Sequence, residues 1–116
     1  MNLVVVSGQL SSEPVRRELA SGTVLLSFEL STRVDDVAMS VPLVWFDPPK
    51  RVALKAGDAV EAVGTVRRRF YRAGGSTQSR TEVVVQQLGK AGDKRVAALR
   101  QTLLTVALDG DVSTAS

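Results

Sequence analysis

Apolar and polar positions alternate along much of this chain with a period of two, in runs separated by turn-forming residues, and that pattern predicts β-strands. In TVLLSFELSTR (23–33), Val24, Leu26, Phe28 and Leu30 share one face, while Ser27, Glu29, Ser31 and Arg33 share the other. This is a half-buried strand with Phe28 in the core. Upstream, NLVVVSGQL (2–10) is β-branched and apolar, with Gly8 suited to a bulge or tight bend. Between them, SSEPVRRELASG is punctuated by Pro14 and Ser21-Gly22 and reads as a connection with room for a short strand.

RVDDV makes a polar turn, and VAMSVPLVWF (37–46) is the next strand, with Pro42 indicating a bulge or edge position. DPPKRVALKAGD (47–58) has room for one short helix, capped by Asp47, with prolines in its first turn and Gly57 at its end. AVEAVGTVRRRFY (59–71) is a long strand kinked at Gly64. RAGGSTQS (72–79) is a hairpin connection with a mobile tip, and RTEVVVQQL (80–88) returns as the last strand. The fold class is therefore mainly β. Five strands, bends at Gly8 and Gly64, and a short helix between the third and fourth strands fit a small Greek-key barrel of the OB type.

After residue 90 the period changes. Val96, Leu99, Leu103 and Val106 recur at helical spacing, with Asp93 as N-cap and Gly110 just past the end. Lys94 and Arg95 at the start and Asp109 at the finish oppose the helix dipole. Such a helix is marginal alone, so it docks on its own barrel or on another subunit. The chain divides into a barrel domain (1–90), a helix for packing or oligomerisation (91–110) and a frayed tail (111–116).

Composition narrows the chemistry. The chain has 116 residues, 44% of them hydrophobic, which suits one domain with a real core. Cysteine and histidine are both absent, removing disulfides, thiolate metal sites and the commonest general base. Asp35, Asp36 and Glu61 have no catalytic motif around them. No enzyme activity, cofactor, metal site or small-molecule substrate is expected. The opening residues form neither a signal peptide nor a membrane span, which predicts a cytoplasmic protein with no membrane association.

Charge then singles out one stretch. The net charge is +3, but Arg67, Arg68, Arg69, Arg72 and Arg80 cluster within VRRRFYRAGGSTQSR (66–80), which holds no acidic residue. Period two places Val60, Ala62, Gly64 and Val66 on the interior face. Arg67, Arg69 and Tyr71 fall on the outer face, with Val63 and Thr65 behind them. Guanidiniums for phosphates beside an aromatic face for bases is the pairing that single strands need. The competing reading is an exposed strand whose arginines keep a sheet face in solution. Trp45 and Phe46 are neighbours and point to opposite faces, but Leu43 and Val44 are both apolar, so alternation leaves open which one is outward.

Gly8, Leu10, Pro14, Arg17 and Ser21-Gly22, in that order, resemble the opening of bacterial single-stranded DNA-binding proteins. Lys55, Gly57, Gly64 and the closing Thr81-Glu82-Val83-Val84 are similar to that family's fourth and fifth strands. The resemblance covers roughly residues 2 to 88. It implies an OB barrel that binds and protects single-stranded DNA in replication, recombination or repair, near the nucleoid, as a tetramer or dimer. It also implies that Tyr71 is the stacking aromatic beside Arg67 and Arg69, and that Phe46 is outward with Trp45 packed. Arg72, Arg80, Arg33, Lys50 and Arg51 complete the candidate nucleic-acid-binding set.

The chain departs from that family in places. Ser40 stands where the family carries a tryptophan, and the Gly/Gln/Pro-rich linker with its acidic tip is missing, so partner recruitment through such a tail is not expected. RNA binding is a subdivision of the same reading, because the sequence does not distinguish the sugars. The principal alternative is an OB-type protein–protein adaptor, or a divergent paralogue with weak or no DNA binding.

Overall fold

The computed structural model describes residues 1–115, with side chains described through Val106. Six strands, β1 (Val4–Leu10), β2 (Val15–Glu18), β3 (Val24–Val34), β4 (Val37–Phe46), β5 (Ala59–Ala73) and β6 (Ser76–Lys90), precede a single helix, α1 (Lys94–Ala115). Five of the strands close a ring. β1 pairs with β5, β5 with β6 and β6 with β4; β4 then pairs with β3, which returns to β1 through Gln9↔Ser31 and Leu10↔Leu30. Only the β4–β6 contact is parallel. The connectivity is consistent with an OB-like barrel. The short strand β2 extends the sheet by pairing with the start of β3.

Alternation fills the barrel. Leu10, Phe28, Leu30, Leu43, Trp45, Val60, Ala62, Val83 and Val85 form one buried cluster, so each barrel strand sends aliphatic side chains to the same core. Two glycines let the strands bend. At Gly8, where β1 leaves β5 for β3, a Cβ would collide with the Ser31 carbonyl. At Gly64 a Cβ would collide with the Val84 carbonyl, and a bulge between Val63 and Gly64 shifts the register against β6.

Burial along β5 corrects one expectation. Val63 is buried, whereas Val66, expected inside, is 41% exposed because β5 has by then reached the barrel rim. Asn2 clips this point by donating from its side-chain amide to the Val66 carbonyl and accepting from the Val66 N–H. A second correction concerns 47–58, where no helix forms. Asp47 takes φ 48°, where a helix N-cap would have extended backbone. Its carboxylate accepts from the Val24 N–H at 2.9 Å instead of capping a helix. The segment is a loop closed by turns, with Asp58 accepting from the Lys55 N–H at 3.0 Å.

The hairpin connection is also shorter than the sequence suggests. Ladder pairing persists to Ala73↔Ser76, leaving only Gly74 and Gly75, with φ 59° and 81°, as the turn. Two positive-φ residues give a turn whose twist matches the strands, so the ladder can run to the very tip. Asp35 and Asp36 do the same between β3 and β4.

Helix α1 begins as expected, with the Asp93 carboxylate accepting from the Arg95 N–H at 2.8 Å. Its first turns dock on its own barrel: Val96 is buried against Gly89, and Arg100 pairs with Glu61 at 2.8 Å. Further along, Leu104 and Val106 are exposed. The helix bounds include Gly110, since an interior glycine weakens a helix by about 1 kcal/mol without stopping it. Ser116, the last residue of the expected frayed tail, lies outside the described residues. No helix among the described residues is long and apolar enough to cross a membrane.

Candidate nucleic-acid interface

With the hairpin centred on Gly74-Gly75, the ladder sets Arg67 opposite Glu82, Arg69 opposite Arg80 and Tyr71 opposite Gln78. These residues share the outer face of β5–β6, as alternation requires. Glu82 is the unexpected member. Its side chain is only 1% exposed, and its Oε1 accepts from Arg67 Nε and Nη2 at 3.0 and 2.9 Å and from Arg69 Nε at 3.0 Å. Arg80 Nε lies 3.9 Å from Oε2, and its Nη2 lies 3.5 Å from Glu29. The arginine cluster therefore has a counter-charge, contrary to the reading from the sequence. One buried carboxylate organises three half-exposed guanidiniums, holding their stems in place while their outer edges meet solvent.

Phe46, at the end of β4, is the outward neighbour, and Trp45 is buried in the barrel. The Arg67 guanidinium carbon stands 5.2 Å from the Phe46 ring centroid. One register step outward, Arg69 stands 5.2 Å from the Tyr71 ring, which is 39% exposed. Two arginine–aromatic pairs thus follow one another along one line from the barrel wall onto the hairpin.

Below that line runs an open groove of about 360 Å³, floored by Ser27, Leu43 and Val44 and walled by Phe46, Arg67, Arg69, Arg80 and Glu82. Arg17 of β2 closes its far side. The structure therefore brings together four of the nine candidate residues, Phe46, Arg67, Arg69 and Arg80, with Tyr71 adjoining. The remaining four stand apart. Arg33 lies near the β3–β4 tip and donates to the Asp36 carbonyl at 2.9 Å. Lys50 and Arg51 belong to the 48–58 loop, and Arg51 lines a separate groove with Phe46, Trp45 and Lys90. Arg72 falls on the opposite face of the hairpin from Tyr71 and donates to the Gly75 carbonyl at 3.2 Å.

Glu82 and Arg17 line the groove but were not among the candidate residues that the sequence reasoning named. Counting outward from the Gly-Gly turn pairs residues whose numbers sum to 149, and that signal places Glu82 against Arg67. Arg17 carried only the family resemblance. Chemically, the arrangement offers cationic edges, two aromatic rings and an apolar floor on an open surface. Among the described residues, no group of His, Cys, Asp or Glu side chains is placed to hold a metal ion. Comparison with protein-family models and with curated protein sequences finds no match for this chain.

Proposed function

We propose that this protein binds and protects single-stranded nucleic acid without strong sequence preference, with DNA as the primary ligand. The observation that carries the reading is the groove itself: Phe46, Arg67, Arg69 and Arg80 converge on the outer face of a closed barrel, and the line continues to Tyr71. Guanidiniums neutralise phosphates while aromatic faces accept bases, and neither interaction reads sequence. The order of residues shared with bacterial single-stranded DNA-binding proteins supports the same reading, as does the OB-like connectivity. The exposed Leu104 and Val106 on the undocked part of α1 support assembly into a homo-oligomer. In this reading the protein acts in the cytoplasm, at the nucleoid when bound, in replication, recombination or repair.

One observation favours the second reading, a protein–protein adaptor. Arg67 and Arg69 already stack on Phe46 and Tyr71, and Glu82 offsets part of their charge, so an incoming strand must displace internal partners. The two readings separate in a titration of labelled oligothymidylate followed by anisotropy. Nucleic-acid binding predicts saturation at low salt and an affinity that falls log-linearly as salt rises. Tyr71→Ala is expected to weaken binding by about 1–3 kcal/mol with the fold intact. No binding at low salt would exclude the first reading and leave the adaptor.

A further inference from the structure

The β5–β6 hairpin extends beyond the barrel. β1 pairs with β5 only as far as Gly64, and β6 meets β4 only at Val83 and Val84. From Arg68↔Thr81 to Ala73↔Ser76 the hairpin is a two-stranded ribbon with no third strand beside it. One face carries the Arg69–Tyr71 pair described above. The other, by alternation, carries Arg68, Phe70 and Arg72 on β5 and Thr77, Ser79 and Thr81 on β6.

This reverse face repeats the chemistry of the groove without its carboxylate. Arg68 stands 5.7 Å from the Phe70 ring centroid and is steadied by a 3.2 Å hydrogen bond to the Ser79 hydroxyl. Phe70 is 66% exposed, more than either Phe46 or Tyr71, in a chain with only five aromatic residues. Among the described residues, neither Arg68 nor Arg72 has an acidic partner, whereas Arg67, Arg69 and Arg80 all approach Glu82. A purely apolar partner would leave both guanidiniums facing it uncompensated. A polyanion carrying flat rings satisfies cation and aromatic together.

We propose that Arg68, Phe70 and Arg72 form a second stacking and phosphate-binding site for single-stranded nucleic acid, entered when a strand seated in the groove crosses the ribbon edge. This rests on the nucleic-acid reading of the groove. The ribbon is thin, so a strand long enough to leave the groove can reach both faces, whereas a short one occupies the groove alone.

The test compares oligothymidylates of about 8 and about 30 nucleotides, the shorter lying within the ~4–16 nucleotide range of a single barrel of this kind. Phe70→Ala is expected to bind the short probe like the parent and to lose about tenfold on the long one, equivalent to about 1.4 kcal/mol. Arg68→Ala should lower the slope of log affinity against log salt by about one, for the long probe only. A long probe carrying 5-iodouracil should photocrosslink to Phe70. Parental affinity of Phe70→Ala for the long probe, an equal loss on both probes, or no crosslink at Phe70 would overturn the proposal. A fall in light-scattering mass for Phe70→Ala would assign the face to contact between copies instead. A parent protein that binds neither probe at low salt removes the groove reading, and this one with it.

Discussion

Glu82 decides the electrostatics of the candidate face, because a carboxylate excluded from water is held there only by the guanidiniums around it. Replacing it by glutamine keeps the shape and removes the charge. Glu82→Gln is expected to cost about 1–3 kcal/mol in urea unfolding, since the buried group loses its charge-assisted bonds. The same change should tighten oligothymidylate binding at low salt and steepen its salt dependence, because one negative charge leaves the phosphate path. Looser binding would show that ordering Arg67 and Arg69 matters more than the charge. Residues at this scale were unevenly legible. Phe28 and Leu30 announce themselves as core by strict alternation, and both are buried. The choice between Trp45 and Phe46 was undecided by alternation because Leu43, Val44 and Trp45 are all buried, Val44 as part of the groove floor.

At the scale of elements, backbone constraints explain both the successes and the misses. Gly8 and Gly64 mark bends because a Cβ at either would strike a neighbouring strand. Gly64→Ala is therefore expected to destabilise the barrel by about 1–3 kcal/mol, as overpacking does, measured by chemical denaturation. Unchanged stability would mean that the bulge can relax freely. Period-two counting keeps its phase along β5, but burial does not follow it, since Val63 is buried and Val66 is exposed where the strand reaches the rim. The 47–58 segment offered helix signals in Asp47, the prolines and Gly57. Tertiary bonding overrode them when the Asp47 carboxylate found the Val24 N–H. Gly74-Gly75 was recognisable as a turn, but its extent depended on both residues taking positive φ, which no propensity specifies in advance.

Over the whole molecule, the barrel closes through the β1–β3 and β4–β6 contacts, and in the proposed reading its surface charge is the means of recruiting a ligand. Ring closure was legible only as a class, since the parallel β4–β6 pairing joins strands more than thirty residues apart. Helix α1 is anchored by Val96 and by the Arg100–Glu61 pair, with Leu104 beyond that anchorage. If assembly uses that outer stretch, Leu104→Asp should reduce the light-scattering mass to that of a monomer while leaving thermal unfolding of the barrel unchanged. A parental mass would remove α1 from the interface.

Amide chemical-shift mapping with an oligothymidylate at low salt tests whether the Phe46–Tyr71 line and its groove form the binding face. Shifts are expected at Arg17, Phe46, Arg67, Arg69, Tyr71 and Arg80, fading as salt is raised. Shifts confined to α1 or the 48–58 loop, or none at all, would contradict that assignment.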